Sequence, residues 1–274
     1  MTGRRIGAVE IAAGLFLALL LVLAIAGPVL TPHDPWDSVG APFEKPFQGE
    51  HLLGTDVLGR DMLSEMIVGV RASLLVGALA TAVPICLGVL IGALAGYLGG
   101  WIDMLLMRLT EFFQTIPSFL FALILVAVFE PSLWSTIAAI SAVSWPPVAR
   151  LARSEFMALR GREFVEAARI AGHSGVHIVW REILPNALPP IVVIGSLMVA
   201  NAILLESAIG FLGLGDPNLM SWGYLLSGGR TSLRSAWWLA VFPGVAITLT
   251  VLAINIVGDA LNDALDPRLR RARA

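Results

Sequence analysis

Glu163 to Pro185 reads EFVEAARIAGHSGVHIVWREILP, the most polar stretch in a chain otherwise made of long apolar runs and short connections. Between Arg150 and Glu182 lie the arginines Arg150, Arg153, Arg160, Arg162, Arg169 and Arg181, with Glu155, Glu163, Glu166 and Glu182 among them. Apolar runs bracket the stretch on both sides. Gly161–Ala171 reads as a short helix stopped at Gly172, because glycine just past a helix end adopts the left-handed conformation without a Cβ penalty. Val176–Glu182 reads as a second short helix, after which Leu184-Pro185 turns the chain back into an apolar run. A slim alanine face (Ala167, Ala168, Ala171) suits docking into a groove on a soluble partner. An ordinary solvated hairpin between two spans fits the same spacing.

The composition sets the surroundings of this module. Of 274 residues, 57 % are hydrophobic and 14 % charged, and the mean hydropathy is +0.82. Soluble domains carry about 25 % charged residues, so this chain has its apolar surface solvated by lipid. A net charge of −2 gives no sign of a nucleic-acid partner. The single cysteine, Cys86, excludes an internal disulfide and reads as a packing residue. The sequence has no His/Cys cluster, no GxxxxGK[ST] phosphate loop and no GxSxG elbow, so nothing in it resembles an enzyme active site.

Working outward, the apolar runs number six. Ile183–Leu205 follows the module, with Pro185, Pro189 and Pro190 expected to break it near its start. Ser235–Gly258 comes next, with Trp237 and Trp238 at the end suited to a water–lipid interface. Upstream lie Pro131–Ala149, then a run from Asp103 to Phe129 kinked at Pro117, then the uncharged Ala72–Ile102 ending in a Tyr97–Gly100 turn. Gly77, Gly88, Gly92 and Gly96 in that run permit close helix approach in lipid. Ile11–Leu30, behind Arg4 and Arg5, is long enough for the roughly 30 Å hydrocarbon core and is expected to be an uncleaved span rather than a signal peptide. Leu58, Met62, Met66 and Val70 recur every four residues, which predicts an amphipathic surface helix with Arg71 at its end. Arg108 and Glu111 are placed to pair on one helix face.

Arginine and lysine counts orient the bundle. With six spans, the N-tail, the module and the C-tail share a side carrying 12 basic residues, against 5 on the other (Lys45, Arg60, Arg71, Arg230, Arg234). The termini and the module are therefore expected in the cytoplasm, and residues 31–71 and 213–236 outside. Glu206, near the outer end of the fifth run, is either a partner for a cationic group or a structural acid bonded to a neighbouring helix.

Glu166-Ala167-Ala168, Gly172 and then Leu184-Pro185 resemble the EAA loop of permease subunits in binding-protein-dependent ABC importers, with the family's glycine-to-proline interval. Glu182 departs from the isoleucine usual there. Three further stretches resemble the second permease of dipeptide, oligopeptide and nickel systems: His51-Leu52-Leu53-Gly54-Thr55-Asp56 with Gly59-Arg60-Asp61, Phe211–Gly215 with Trp222-Gly223, and Asp263–Arg268.

This resemblance implies an all-α membrane protein with six transmembrane helices in the type I ABC importer permease fold. Residues 1–50 would supply the first helix and the start of the outer loop, and residues 51–274 a five-helix core carrying the coupling loop at about 150–185. It implies a non-enzymatic transport subunit of a bacterial-type inner membrane, carrying di- or oligopeptides, with nickel chelates or another small solute as alternatives. Glu166, Ala167, Ala168, Gly172, Leu184 and Pro185 would couple it to one or two cytoplasmic ATPase subunits, which bind the ATP and Mg; the chain itself would hold no cofactor. A second homologous permease and an extracytoplasmic binding protein would complete the importer. A stand-alone secondary transporter, the competing class, wants ionisable residues near the midplane and repeated halves, and neither is evident.

Overall fold

Asp61 starts the longest helix: its carboxylate accepts the Ser64 N–H at 3.0 Å, satisfying one of the free donors of a helix N-terminus. In the computed structural model, which describes residues 7–265, this helix, α2, runs unbroken over Met62–Leu98 to Gly99, whose φ of 68° ends it. The other helices are α1 (Ala8–Leu30), α3 (Gly100–Thr115), α4 (Ser118–Val128), α5 (Leu133–Arg160), α6 (Glu163–Ile170), the single turn α7 (Gly175–His177), α8 (Leu184–Ile209), α9 (Trp222–Gly229) and α10 (Trp238–Leu265). Arg4, Arg5, Asp266 and the arginines from Arg268 onward lie outside the described residues.

The expected surface helix over 58–70 is not separate. Leu58 precedes α2, and Met62, Glu65 and Val70 are buried in its first turns. The reason is packing: Gly69 leaves room for Trp222, whose indole Nε1–H donates to the Met66 carbonyl at 3.2 Å and whose backbone N–H donates to Ser73 Oγ at 3.1 Å. This segment therefore packs against α9 as the start of α2.

Glycine also sets the central seam. A Cβ at Gly88, Gly92 or Gly96 would lie 2.6 Å from Val148 Cβ, 2.4 Å from the Ala149 carbonyl oxygen and 2.6 Å from the Arg153 carbonyl oxygen, respectively. The four-residue spacing puts these glycines on one stripe of α2, along which α5 lies at backbone contact.

Four helical stretches are long and apolar enough to cross a membrane: 8–30, 62–98, 175–214 and 238–264. The pair α3 and α4, bent by 84° at Ile116-Pro117, makes a fifth if taken as one span, so Pro117 marks a sharp break rather than a mild kink. Helix α5 is 28 residues long but less apolar, since it carries serines, Pro146, Pro147 and arginines and buries much of its length. Residues 183–205 also differ from expectation. Pro185, Pro189 and Pro190 sit inside an intact α8, and the irregularity precedes them as a π-helical turn, Ile178–Ile183, which replaces the separate second helix. There the Leu184 N–H reaches back five residues to the Val179 carbonyl, and Pro185 falls in the first turn of α8, where a missing N–H costs little.

Candidate functional site

Helix α6 ends in a paired-bond reversal: the His173 N–H donates to the Ala168 carbonyl at 3.2 Å and the Gly172 N–H to the Arg169 carbonyl at 3.1 Å. This is the Schellman arrangement, which needs a left-handed residue at its centre, and Gly172 has φ 85° with open space around it. Only Val165 of α6 is buried, packed with Phe156, Ile178 and Ile183. Glu166 and Ala167 are exposed and Ala168 is half-buried. The end of the hairpin holds Ile170, Val176 and Trp180 at 88 %, 70 % and 65 % exposure. Charged residues, among them Arg169 and Arg181, flank these apolar groups in the sequence.

Helix α5, which leads into the hairpin, is tied to its neighbours by two arginines. Arg153 makes a two-pronged ion pair with Asp103 of α3, Nη2 to Oδ2 at 2.6 Å with Nε on Oδ1. Arg160 Nη1 donates to the Gly96 and Tyr97 carbonyls at 3.0 and 3.3 Å, capping α2. Two of the six arginines in the module thus face the chain itself. Sequence reasoning counted them with the exposed set, because charge alone does not distinguish a partner from one's own backbone. Leu184 and Pro185 begin α8, which continues directly from the π-helical turn Ile178–Ile183.

Helices α4, α5 and α8 enclose an open concavity of about 590 Å³. Its walls are apolar (Phe119, Val143, Leu197) with Ser118, Ser144 and Asn201 supplying uncharged hydrogen-bonding groups. These residues were not legible as a set, since no sequence spacing links three separate helices; Asn201, exposed in the middle of an apolar helix, was the one available signal. Glu206 lies on α8 roughly 30 Å beyond Pro185 at 1.5 Å per residue. It is 5 % exposed, and Ser221 Oγ donates to its Oε1 at 2.6 Å and Ser207 Oγ to its Oε2 at 3.4 Å. Because Ser221 also caps α9, Glu206 ties α8 to α9, and it is not among the residues lining the concavity. The structure thus brings Glu166, Ala167, Ala168 and Gly172 together at one end and sets Glu206 apart.

Residues 88–271 match the family model described as "Binding-protein-dependent transport system inner membrane component". The chain is 40 % identical over 265 residues to the "Di/tripeptide transport system permease protein DppC" of Pseudomonas aeruginosa (strain UCBPP-PA14), covering 94 % of this chain and 88 % of that one. It is 41 % identical over 263 residues to the "Dipeptide transport system permease protein DppC" of Escherichia coli (strain K12), covering 93 % and 88 %. Among solved structures it is similar to an inward-facing form of the MetNI methionine ABC transporter, with a TM-score of 0.61 at 19 % identity, over 75 % of this chain and 98 % of that one.

Proposed function

Because this chain belongs to the family of binding-protein-dependent transport system inner membrane components, being the membrane permease of an ABC importer, we propose that it translocates di- and oligopeptides and is driven through the α6 hairpin. The carrying observation is the hairpin itself: an apolar, exposed end on a fixed reversal at Gly172, continuous with α8 and bolted to α2 and α3 through Arg160 and Arg153. A cytoplasmic ATPase that seats Ile170, Val176 and Trp180 moves the hairpin, and α8 and α5 follow as rigid bodies. ATP and Mg are held by that partner.

In this reading α5 crosses the membrane as the least apolar of six spans, its polar groups covered by α2 and the concavity, and the hairpin and both termini share the cytoplasmic side. The concavity on α4, α5 and α8 faces a second, homologous permease, and the two halves close around the path. Uncharged Ser118, Ser144 and Asn201 on an apolar wall suit a peptide: they satisfy its amides one at a time and bind none of its charges tightly, so the cargo is released as readily as it enters. The 40 % identity to di- and tripeptide permeases supports this cargo.

The test is co-purification of ATPase subunits with the tagged chain. Gly172→Val strains only the reversal, at about 1–2 kcal/mol for a non-glycine left-handed residue, and Ile170→Asp changes only the exposed end. Both variants are expected to reach the membrane at wild-type levels and to recover at least tenfold less ATPase; equal recovery rejects the hairpin as the coupling element.

A further inference from the structure

Two imidazoles and a carboxylate far from the hairpin converge without bonding each other. His51 Nδ1 lies 3.3 Å from Asp61 Oδ1, and His33 Nδ1 lies 3.8 Å from Asp61 Oδ2. Both Nδ1 atoms are buried and neither has a hydrogen-bond partner. The His51 ring is 6 % exposed and Asp61 2 %. One donor atom from each of the three residues falls within 4.8 Å of the other two. An imidazole nitrogen buried without a partner costs free energy comparable to a lost hydrogen bond, and here two such atoms are aimed at the same carboxylate.

We propose that His33, His51 and Asp61 form a binding site for a divalent transition metal of the zinc class. Tetrahedral zinc with bonds of about 2.0–2.1 Å sets its ligand atoms about 3.3–3.4 Å apart, the separation His51 and Asp61 already have. Nitrogen and carboxylate donors suit that ion over calcium or magnesium, which take all-oxygen sets. The outer surroundings fit a ligand set as well. Asp61 Oδ2 is held by Ser64, its N–H at 3.0 Å and its Oγ at 2.7 Å, which leaves Oδ1 for the metal. Glu44 Oε2 stands 3.9 Å from His51 Nε2, the side of the ring away from the metal, where carboxylates orient metal-bound histidines. Gly40 gives the ring its place, since a Cβ there would lie 2.8 Å from Nε2. His33, with 39 % of its side chain exposed, leaves an entry path and a fourth position for water. The metal would clamp the segment after α1 to the N-cap of α2.

The chain has four histidines, and His173 and His177, stacked at 4.3 Å on the hairpin, are the competing pair. The experiment therefore uses the full chain with a histidine-free tag and both His173 and His177 replaced by Ala. After chelator treatment it is titrated with zinc chloride, and bound zinc is counted by elemental analysis. One zinc per chain is expected. Adding His33→Ala, at a half-exposed position that leaves the fold intact by circular dichroism, is expected to weaken binding at least tenfold and to abolish the intense visible bands of a tetrahedral cobalt(II) form. No zinc in the background chain, or unchanged affinity with His33→Ala, overturns the site.

Discussion

Gly54 and Gly172 share a left-handed backbone, with φ of 78° and 85°, in opposite surroundings. At Gly54 an added Cβ would lie 2.3 Å from the Glu44 carbonyl oxygen, and at its neighbour Gly59 (φ 77°) 2.2 Å from that of Gly40. At Gly172 it would meet nothing within 4 Å. The 40–61 segment is a knot closed on itself. Thr55 Oγ1 donates to the Ala41 carbonyl at 2.6 Å and accepts the Glu44 N–H at 2.8 Å, Asp56 Oδ1 accepts the Leu58 and Arg60 N–H groups, and Trp238 Nε1 donates to the Thr55 carbonyl at 3.1 Å. The hairpin has the same turn chemistry with its outer face left bare. Two polar segments of one membrane protein thus differ at their glycine reversals: those at Gly54 and Gly59 press on the segment's own backbone, whereas the one at Gly172 stands open.

The strongest way to break this contrast is Gly54→Ala. The new methyl meets backbone rather than a yielding side chain, and the left-handed conformation is itself strained, so a loss of about 3–5 kcal/mol is expected. Folded, monodisperse protein extracted from membranes, read by size-exclusion chromatography, should fall more than tenfold. Gly172→Val, by contrast, should leave that yield unchanged while losing the ATPase. If both glycines behaved alike, the distinction between a fold-setting and a surface-presenting reversal would be wrong.

Arg153 sharpens the contrast from the hairpin's inner side. Arg153→Gln removes the two-pronged bond to Asp103, charge-assisted but with about a third of the arginine exposed, so about 1 kcal/mol of stability is expected to go. The yield should barely change. Peptide transported per ATP hydrolysed should drop severalfold, because α5, which carries Arg153 and leads into the hairpin, still moves with the ATPase but no longer takes α3 with it. Unchanged coupling in reconstituted vesicles would show that the motion does not pass through α3.

These two ends also show what the sequence can and cannot say. Four of the apolar runs, five with the bent pair α3 and α4, and the reversal at Gly172 were readable because each depends on local chemistry: lipid-length hydrophobicity, and a glycine where φ must be positive. The continuity of α2 through Glu65 was not, because an apolar stripe every four residues describes a helix on a membrane surface as well as one packed under Trp222. The π-helical turn before Pro185 was hidden for a similar reason, since three nearby prolines suggest a break whose actual place depends on how α8 packs. The pairing of His33 with His51 and the polar set of the concavity depend on segments distant in sequence meeting in space, which no spacing rule records.

Arg108 and Glu111 provide the smallest effect and a control for all the others. They pair at 3.2 Å, as the three-residue spacing on α3 predicts, but with 79 % and 60 % of their side chains exposed. Exposed pairs of this kind gain little, because water and salt screen the attraction and ordering two long side chains offsets the rest. Arg108→Ala is therefore expected to change neither yield, ATPase recovery nor transport, measured beside Arg153→Gln in the same vesicles. The two arginines lie on neighbouring helices and both touch an acid. A difference in coupling between them would come from what the acid is fixed to: Asp103 joins α3 to the hairpin's root, whereas Glu111 joins α3 only to itself.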